Sequence, residues 1–364
     1  MSVIMRNICG GGSGSSSSKG FPPGDVTNIS VRSEYKCAKL KWTDPDPSIY
    51  NGATLSTWNS TIIVRKEGSA PTSIKDGTVV IVNTTKNKYK DTEFVDNNVV
   101  ANKTYYYRFY TLSTDKVYND STSMIYKVKI LEVKSILKNN SWKQINTASE
   151  SGIASSIWNI GDEIDLTLSG TFNETVTLQI WDFNHFDKSD GSGKAGICFG
   201  MKNLMKDHQK MNNTVVTYPD WNTSDMRNNI MQSIFNSMPS NLQNVIKEVN
   251  TYSVGSDQSS YGYGPGLLCK DKVFLPGPWE IGISYNDNGF SQGSYEQYQE
   301  KFPIFTDSSS RQKSLSNGNG YLDAWWTRSH NFLYQSSIIC VYSGGSIYDF
   351  SQDDELGVCF CFNV

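Results

Sequence analysis

The side chains that could carry out catalysis or hold a metal are few and scattered. The chain contains three His and seven Cys, and no cysteine pair has the CxxC spacing of many metal and redox sites. His185 could act as a general base, but the spacing suggests no Ser, Cys or Asp partner, so we expect a buried, hydrogen-bonded histidine. Cys359 and Cys361 lie in an apolar run, where a thiol is expected to be inert. We therefore predict that the protein is not an enzyme and has no cofactor and no metal site.

A different chemistry, surface binding, is indicated near the C-terminus. The segment Trp325-Trp326-Thr327-Arg328-Ser329 is followed by a stretch rich in Tyr, Ser, Gly and Asp. Tyrosine offers a large contact area at low entropic cost, and small polar side chains offer adaptable hydrogen bonds. Such rings stack on sugars or anchor protein contacts, although an ordinary hairpin with loops has a similar composition. The predicted ligand contacts are Trp326, His330, Tyr334, Tyr342, Tyr348 and Asp349.

Some bulky residues in the C-terminal half of the chain are expected to have structural roles. Trp325 and Trp326 point to opposite faces if they lie on a strand, so both could be core residues or one could line a groove. Arg227 and Arg328 are expected to be structural, because a guanidinium with five donors can be satisfied by a carboxylate or by backbone carbonyls.

Composition and charge limit the kinds of partner that the protein is expected to bind. A net charge of -3 with 19% charged residues gives no reason to expect nucleic acid or an anionic membrane. No window is apolar enough for a membrane span, and the first residues lack an apolar run long enough for a signal peptide. The segments 187–191 and 286–289 offer oxygen ligands, but neither fits the twelve-residue calcium loop, so we expect plain turns.

The distribution of residue types predicts three segments. Residues 1–20 begin with a short, partly apolar peptide and continue as a Gly/Ser linker; the peptide is either a disordered tail or a docking segment that tethers the chain to a larger assembly. Residues 21–131 show about seven short strand patterns separated by turns, which predicts an all-β immunoglobulin-like sandwich. Residues 132–364 mix helical and strand patterns, so we expect an α+β domain.

Two strand patterns within residues 21–131 are more specific. Ala38-Lys39-Leu40-Lys41-Trp42 is followed by Asp44-Pro45, and Lys103-Thr104-Tyr105-Tyr106-Tyr107-Arg108-Phe109 comes later. These resemble the second and sixth strands of fibronectin type III domains. The resemblance implies that Trp42 and Tyr105 are core residues, and that the module spaces or presents something else.

Periodicity and capping signals predict several elements of residues 132–364. A short helix is expected to begin after Ser141, which is a good N-cap residue. Residues 222–249 have helical spacing that Pro239 interrupts, so we expect one helix before it and a second one over 240–249. The expected strands are 163–168, 176–183, 271–275, 338–343 and 357–363.

Nine short motifs occur in a fixed order along residues 133–364. They are Ser141-Trp142, Trp158, Gly161-Asp162, Phe183-Asn184-His185, Trp221-Asn222-x-Ser224-x-Met226-Arg227, Asp271-x-x-Phe274-Leu275, Tyr298, Trp325-Trp326-x-Arg328-Ser329 and Gly357-Val358. This set resembles a domain family of unknown function found in phages and prophages of Gram-positive bacteria. Its final part is similar to C-type-lectin-like domains of the formylglycine-generating-enzyme type. One departure is His330, where that family commonly has Pro.

The resemblance implies a function, because lectin-like domains of this type serve as receptor-binding tips in phages. We expect a virion protein on the tail or as a head fibre, made in the host cytoplasm and present as a homo-oligomer on the particle. Residues 1–20 would contact other virion proteins, and residues 132–364 would bind a host-surface glycan or protein, with neither nucleic-acid binding nor membrane insertion. The main alternative is a decoration or baseplate protein that contacts only other virion proteins. A glycan-modifying or formylglycine-type enzyme and a non-phage surface adhesin are further alternatives.

Overall fold

Antiparallel β-structure dominates the protein. The computed structural model describes residues 20–254, 267–283, 299–318, 320–331, 334 and 336–364. The chain divides into two compact units, one ending at Glu132 and the other beginning at Val133. The expectation of a β-rich fold with more than one domain is confirmed. The predicted docking peptide lies outside the described residues. Within the ranges given above, no helix is both long enough and apolar enough to cross a bilayer.

The described residues of the first unit form ten strands in three antiparallel groups. β1, β2 and β7 form one sheet, and β10, β8, β5 and β6 form a second sheet in which β9 also pairs with β8. β3 and β4 form a separate hairpin. The strands are β1 (Thr27–Glu34), β2 (Cys37–Thr43), β3 (Ser48–Tyr50), β4 (Ala53–Ser56), β5 (Trp58–Glu67), β6 (Thr78–Asn83), β7 (Phe94–Asp96), β8 (Thr104–Ser113), β9 (Tyr118–Asn119) and β10 (Ile125–Lys129), with a 3-10 turn at Thr122–Met124.

The core of the first unit draws residues from both larger sheets. Trp42 of β2 is fully buried, and its ring meets that of Phe109 of β8 edge-on with centroids 5.6 Å apart. The Trp42 indole N–H donates to Asp44 at 2.9 Å, which satisfies its one polar atom inside the core. Tyr105 is also buried. The expectation that Trp42 and Tyr105 are core residues is therefore confirmed.

In the second unit, the described residues form short helices and five antiparallel groups of strands. The helices are α1 (Trp142–Glu150), α2 (Ala154–Ile157), a π-helix at Met226–Met231, α3 (Gln232–Ser237), α4 (Ser240–Gln243) and 3-10 turns at Leu137–Asn139, Trp279–Ile281 and Ser309–Arg311. The strands are β11 (Glu163–Leu168), β12 (Glu174–Phe183), β13 (Ile197–Met201), β14 (Gln209–Lys210), β15 (Val249–Ser253), β16 (Leu267–Asp271), β17 (Val273–Phe274), β18 (Lys313–Ser314), β19 (Leu322–Asp323), β20 (Trp325–His330), β21 (Ser337–Val341), β22 (Ile347–Ser351), β23 (Glu355–Leu356) and β24 (Cys361–Asn363).

The largest sheet of the second unit has the order β11-β12-β13-β24-β17. It inserts the C-terminal strand β24 between β13 and β17, so the last residues of the chain lie in the core. Phe199 and Phe362 face each other across the β13–β24 register and are fully buried. A second sheet, β20-β21-β22, carries the Trp325-to-Ser351 region, and the remaining pairs are β14-β23, β15-β16 and β18-β19.

The helix predicted after Ser141 is present as α1. The Ser141 hydroxyl accepts a hydrogen bond from the Gln144 backbone N–H, and the Gln144 side chain accepts one from the Ser141 N–H. This reciprocal arrangement satisfies two backbone donors at the start of the helix. The strands predicted at 163–168 and 176–183 are also confirmed, as β11 and β12.

The helical region predicted over residues 222–249 is only partly correct. A π-helix and α3 occupy 226–237, and the helix ends before Pro239 as expected. The second helix is a single turn, α4, instead of the predicted 240–249. Val249 begins β15, which pairs with β16, so strand pairing overrides the local helical spacing.

Candidate functional site

Strand β20 is buried along its whole length. Trp325 and Trp326 are both fully buried. Their indole N–H groups donate to the backbone carbonyls of Arg311 and Gln209 at 3.0 and 2.8 Å. Trp326 is therefore a core residue, which corrects its prediction as a ligand contact: neither face of β20 is open at this position.

Arg328 forms polar contacts with four separate segments of the second unit. Its guanidinium forms a bidentate ion pair with Glu280, with N–O distances of 2.7 and 2.6 Å, and both side chains are fully buried. It also donates to the backbone carbonyls of Leu275 and Tyr252 and to the Gln299 side chain. The predicted structural role of Arg328 is confirmed, because the planar fork meets acceptors on every edge.

His330 ends β20 in the interior, so its prediction as a ligand contact is also corrected. It is 2% exposed and pairs with Ile338 of β21. The ring of Tyr218 lies edge-on to it, with centroids 6.4 Å apart. Burial lowers the pKa of His330 to about 4, despite the opposing effect of Asp220 and the hydrogen bond to Pro219. A neutral imidazole at neutral pH suits this site, because a desolvated charge would be costly.

Exposed aromatic rings cluster on the edge strand β22 and the turn before it. Tyr342 and Tyr348 are 48% and 55% exposed, and their ring centroids lie 5.9 Å apart. Phe350 extends the row, at 5.3 Å from Tyr348. We call Tyr342, Tyr348 and Phe350 the tyrosine cluster. Because Tyr348 and Phe350 are two residues apart on one strand, they share a face.

Two other predicted contacts lie apart from this cluster. Tyr334 is 58% exposed but lies in the turn before β21, whereas Tyr342 follows the end of β21. A strand of this length separates its ends by more than about 10 Å. Asp349 is half-buried and points to the face of β22 opposite Tyr348. The structure thus brings together two of the six predicted residues, and it adds Phe350.

Polar chemistry elsewhere in the second unit is mostly structural. His185 is buried, and its Nδ1 lies 2.8 Å from the Asp182 carboxylate. The ring also stacks on Phe302, with centroids 4.1 Å apart. The buried, hydrogen-bonded state predicted for His185 is confirmed, but its partner was missed. Asp182 lies three residues earlier, and the local bend at Asn184, which has a positive φ of 57°, brings the two side chains together.

Arg227 and Asp271 form a second structural pair. The Arg227 Nε donates to Asp271 at 2.7 Å. The other carboxylate oxygen of Asp271 accepts from the Trp221 indole at 2.9 Å and from the Thr251 hydroxyl at 2.6 Å. The predicted structural role of Arg227 is confirmed, and two of the sequence motifs meet at this carboxylate.

The thiols of the described cysteines are buried. Six cysteines of the described residues are free and buried, and Cys9 lies outside those residues. Burial raises the pKa of Cys359 to about 12 and that of Cys269 to about 11. A thiol held in the protonated form is a poor nucleophile.

The first of the two loops considered for calcium contains ordinary turn interactions. Asp187 lies 3.4 Å from the Lys194 ammonium, and Asp190 accepts from the Ser192 backbone N–H at 2.9 Å. No group of three or more His, Cys, Asp or Glu suited to a metal occurs among the residues that the structure describes. The second loop, 286–289, and the motif residue Tyr298 lie outside them.

Residues 196–364 match a family model. It is described as a domain of unknown function (DUF6273). The matched range holds the tyrosine cluster, Arg328 and Arg227, but not His185. No curated protein matches the chain.

Among solved structures, the chain has a weak likeness to the twitchin kinase region from C. elegans (Fn31-NL-kin-CRD-Ig26). The two are 12% identical with a TM-score of 0.20, and the likeness covers 49% of this chain and 31% of that one. A TM-score this low carries no argument about fold or activity.

Proposed function

We propose that this protein is a phage virion component that binds a host-surface glycan or protein through its C-terminal unit and has no catalytic activity. The observation that carries the proposal is the tyrosine cluster. Two exposed rings, Tyr342 in a turn and Tyr348 on the edge strand β22, lie next to the half-buried Phe350, and their sheet contains a fully buried Trp-Trp-x-Arg strand. Rigid aromatic groups on a fixed support are typical of binding surfaces, because little side-chain entropy is lost on contact.

The architecture of the first unit is consistent with a spacer role. We infer a fibronectin type III-like sandwich from the sheet orders β1-β2-β7 and β10-β8-β5-β6. The hydroxyl of Tyr105 accepts a hydrogen bond from the backbone N–H of Val100, five residues earlier. A hydroxyl bonded to the backbone a few residues upstream is the geometry of the tyrosine corner of such sandwiches.

For the second unit we propose a C-type-lectin-like fold. Two features support it: the C-terminal strand returns to the middle of the main sheet, and the β20-β21-β22 sheet presents the aromatic surface. We further propose that residues 1–20 dock the protein on the particle. Several copies would then raise a weak single-site affinity through multivalency.

The absence of catalysis is proposed on the state of the buried reactive groups. The Cys359 and Cys361 thiols are enclosed, and burial raises the pKa of both. Lys313 is buried too, and its ammonium donates to the carbonyls of Met201 and Lys202 at 2.6 and 3.0 Å. These groups point into the core, where no substrate can reach them.

Cell binding tests the proposal. The full chain, displayed on beads, should bind candidate host cells saturably. The double variant Tyr342→Ala/Tyr348→Ala should bind at least about tenfold more weakly, because aromatic anchors at a binding surface each contribute about 1–3 kcal/mol. Both side chains are exposed, so the variant should unfold at the same temperature as the parent.

Tyr50→Ala is the matched control, since Tyr50 is an exposed tyrosine of the first unit. It should leave cell binding unchanged. Failure of the folded, multivalent parent to bind any susceptible host would reject the adhesion role and favour a protein that contacts only other virion components. Treating the cells with periodate, which oxidises sugars, separates a glycan ligand from a protein ligand.

A further inference from the structure

A polar groove lies on the second unit, formed by residues outside β20, β21 and β22. Its volume is about 290 Å³. One wall consists of the π-helix Met226–Met231 and α3, and the other of Glu248 and the segment 270–273 at the β16–β17 junction. Such a volume is at the low end of small-molecule sites, so it accommodates about one sugar-sized ring.

The π-helix is the first sign that this groove is more than a surface irregularity. A π-helical turn is rare and is frequently found at functional sites. Here it places Arg227 and Asn228 at the groove, while Met226 and Met231 are buried in the core. The irregular turn therefore presents polar side chains and still fills the interior.

Positive charge exceeds negative charge in the groove. Arg227, Lys270 and Lys272 contribute three cations, against the carboxylates of Asp271 and Glu248. Asp271 is buried and already accepts three hydrogen bonds, from Arg227, Trp221 and Thr251. Within the described part of the chain, no carboxylate forms an ion pair with Lys270 or Lys272. Arg227 is paired with Asp271, whereas Lys270 and Lys272 offer ammonium groups with no carboxylate partner among the described residues.

The cations are positioned before any ligand arrives. Arg227 is fixed by its Nε bond to Asp271 and by an Nη2 bond to the Lys270 carbonyl at 3.1 Å. Its Nη1 makes only contacts of 3.3–3.4 Å, with Asn222 and Asn228. These lie beyond the usual hydrogen-bond range, so a carboxylate would readily replace them. Lys272 is held over the Phe235 ring, with its ammonium 5.1 Å from the centroid.

The rest of the lining favours a ligand rich in hydroxyl groups. The exposed amides of Asn228 and Gln232 supply both donors and acceptors along the rim. Phe235 is the one aromatic side chain among the lining residues, and Lys272 covers it. A mainly apolar ligand would bury these polar groups without partners, which costs free energy.

We propose that this groove binds an anionic sugar, with the acid group at Arg227, Lys270 and Lys272 and the hydroxyl groups at Asn228 and Gln232. Carboxylate and phosphate share the required charge. The Nη1 group of Arg227, whose present contacts are long, can donate to either of them. The site is independent of the tyrosine cluster and of the host-adhesion role.

Titration calorimetry of the full chain tests the proposal with D-glucuronate, D-glucose 6-phosphate, D-glucose and acetate as separate probes. Glucuronate and glucose 6-phosphate should each bind saturably and at least about tenfold more tightly than glucose or acetate, and their affinities should fall as NaCl is raised. Equal affinity for acetate would overturn the sugar assignment, and equal affinity for glucose would overturn the role of the cations. No saturable binding of either anionic sugar would overturn the site itself.

The variant Lys270→Gln/Lys272→Gln should weaken glucuronate binding roughly threefold to tenfold. Both lysines are exposed, so the variant should keep the unfolding temperature of the parent. Lys143→Gln, at an exposed position of α1 outside the groove, is the matched control and should change nothing. Tyr342→Ala/Tyr348→Ala should leave glucuronate binding intact, so failure of the groove and failure of the adhesion surface are distinguishable.

Discussion

At the scale of single residues, Arg328 forms a fully buried ion pair with Glu280 in the second unit. Arg328→Met would leave the Glu280 carboxylate buried without its partner. We expect the free energy of unfolding to fall by about 3–5 kcal/mol, as for other broken buried pairs. Urea denaturation followed by tryptophan fluorescence measures the change.

An exposed ion pair provides the comparison for Arg328. Lys202 and Glu163 lie 2.8 Å apart, and both side chains are more than 40% exposed. Lys202→Met should cost less than about 1 kcal/mol. Equal losses from the two variants would show that the Arg328–Glu280 pair is not structurally important.

His330 should make stability depend on pH. Its pKa is lowered by burial from 6.5 to about 4 in the folded protein, so between these values the unfolded chain binds the proton first. The free energy of unfolding should therefore fall as pH drops through this window, by about 1.4 kcal/mol per unit from this residue.

His330→Gln removes the titrating group. The variant therefore separates the contribution of His330 to the pH dependence of stability from that of the carboxylates. The difference in unfolding free energy between parent and variant should change between pH 7 and pH 4.5, with the parent losing more. A difference that is constant over this range would contradict a neutral, buried His330.

At the same scale, the sequence predicted buried structural residues better than exposed contact residues. The roles of Arg227, Arg328 and His185 follow from side-chain chemistry alone, because a buried guanidinium or imidazole must find partners. The burial of Trp326 and His330 cannot be predicted from their side-chain chemistry, because it depends on segments far away in the sequence. Gln209 and Tyr218 cover these two residues.

At the scale of elements, the packing of Trp181 of β12 against β13 depends on Gly200. A Cβ at this position would lie 2.1 Å from the Trp181 ring. Gly200→Ala should therefore destabilise the protein by about 1–3 kcal/mol or more, because a packed core resists extra volume. Thermal unfolding measures it.

Gly344→Ala is the control, since a Cβ there meets no atom within 4 Å. It lies in the turn between β21 and β22, close to the tyrosine cluster, and should leave the unfolding temperature nearly unchanged. A Gly200→Ala variant as stable as Gly344→Ala would mean that β13 packs less closely than described.

The elements also show where local signals lose to tertiary pairing. The capping residues at Ser141 predicted α1 correctly, because a capping box is a purely local interaction. The spacing of apolar residues over 240–249 predicted a helix, yet Val249 enters β15. Its strand partner, β16, begins only at Leu267. The periodicity of a single sequence window cannot detect so distant a partner.

At the scale of the whole molecule, each unit has its own hydrophobic core. Trp42, Tyr107 and Phe109 belong to one core, and Trp181, Phe199 and Trp325 belong to the other. Separately produced fragments 20–132 and 133–364 should therefore each fold. Dispersed amide resonances in the NMR spectrum of each fragment would confirm this, whereas a collapsed spectrum for either one would show that its core is incomplete.

Adsorption of phage particles to host cells tests the central claim most directly. Under the proposed virion role, excess purified protein should compete with particles that display it and slow their adsorption. The Tyr342→Ala/Tyr348→Ala variant should not compete, and Tyr50→Ala should compete as well as the parent. Adsorption that is unchanged by saturating parent protein would contradict the account of a host-binding surface at the tyrosine cluster.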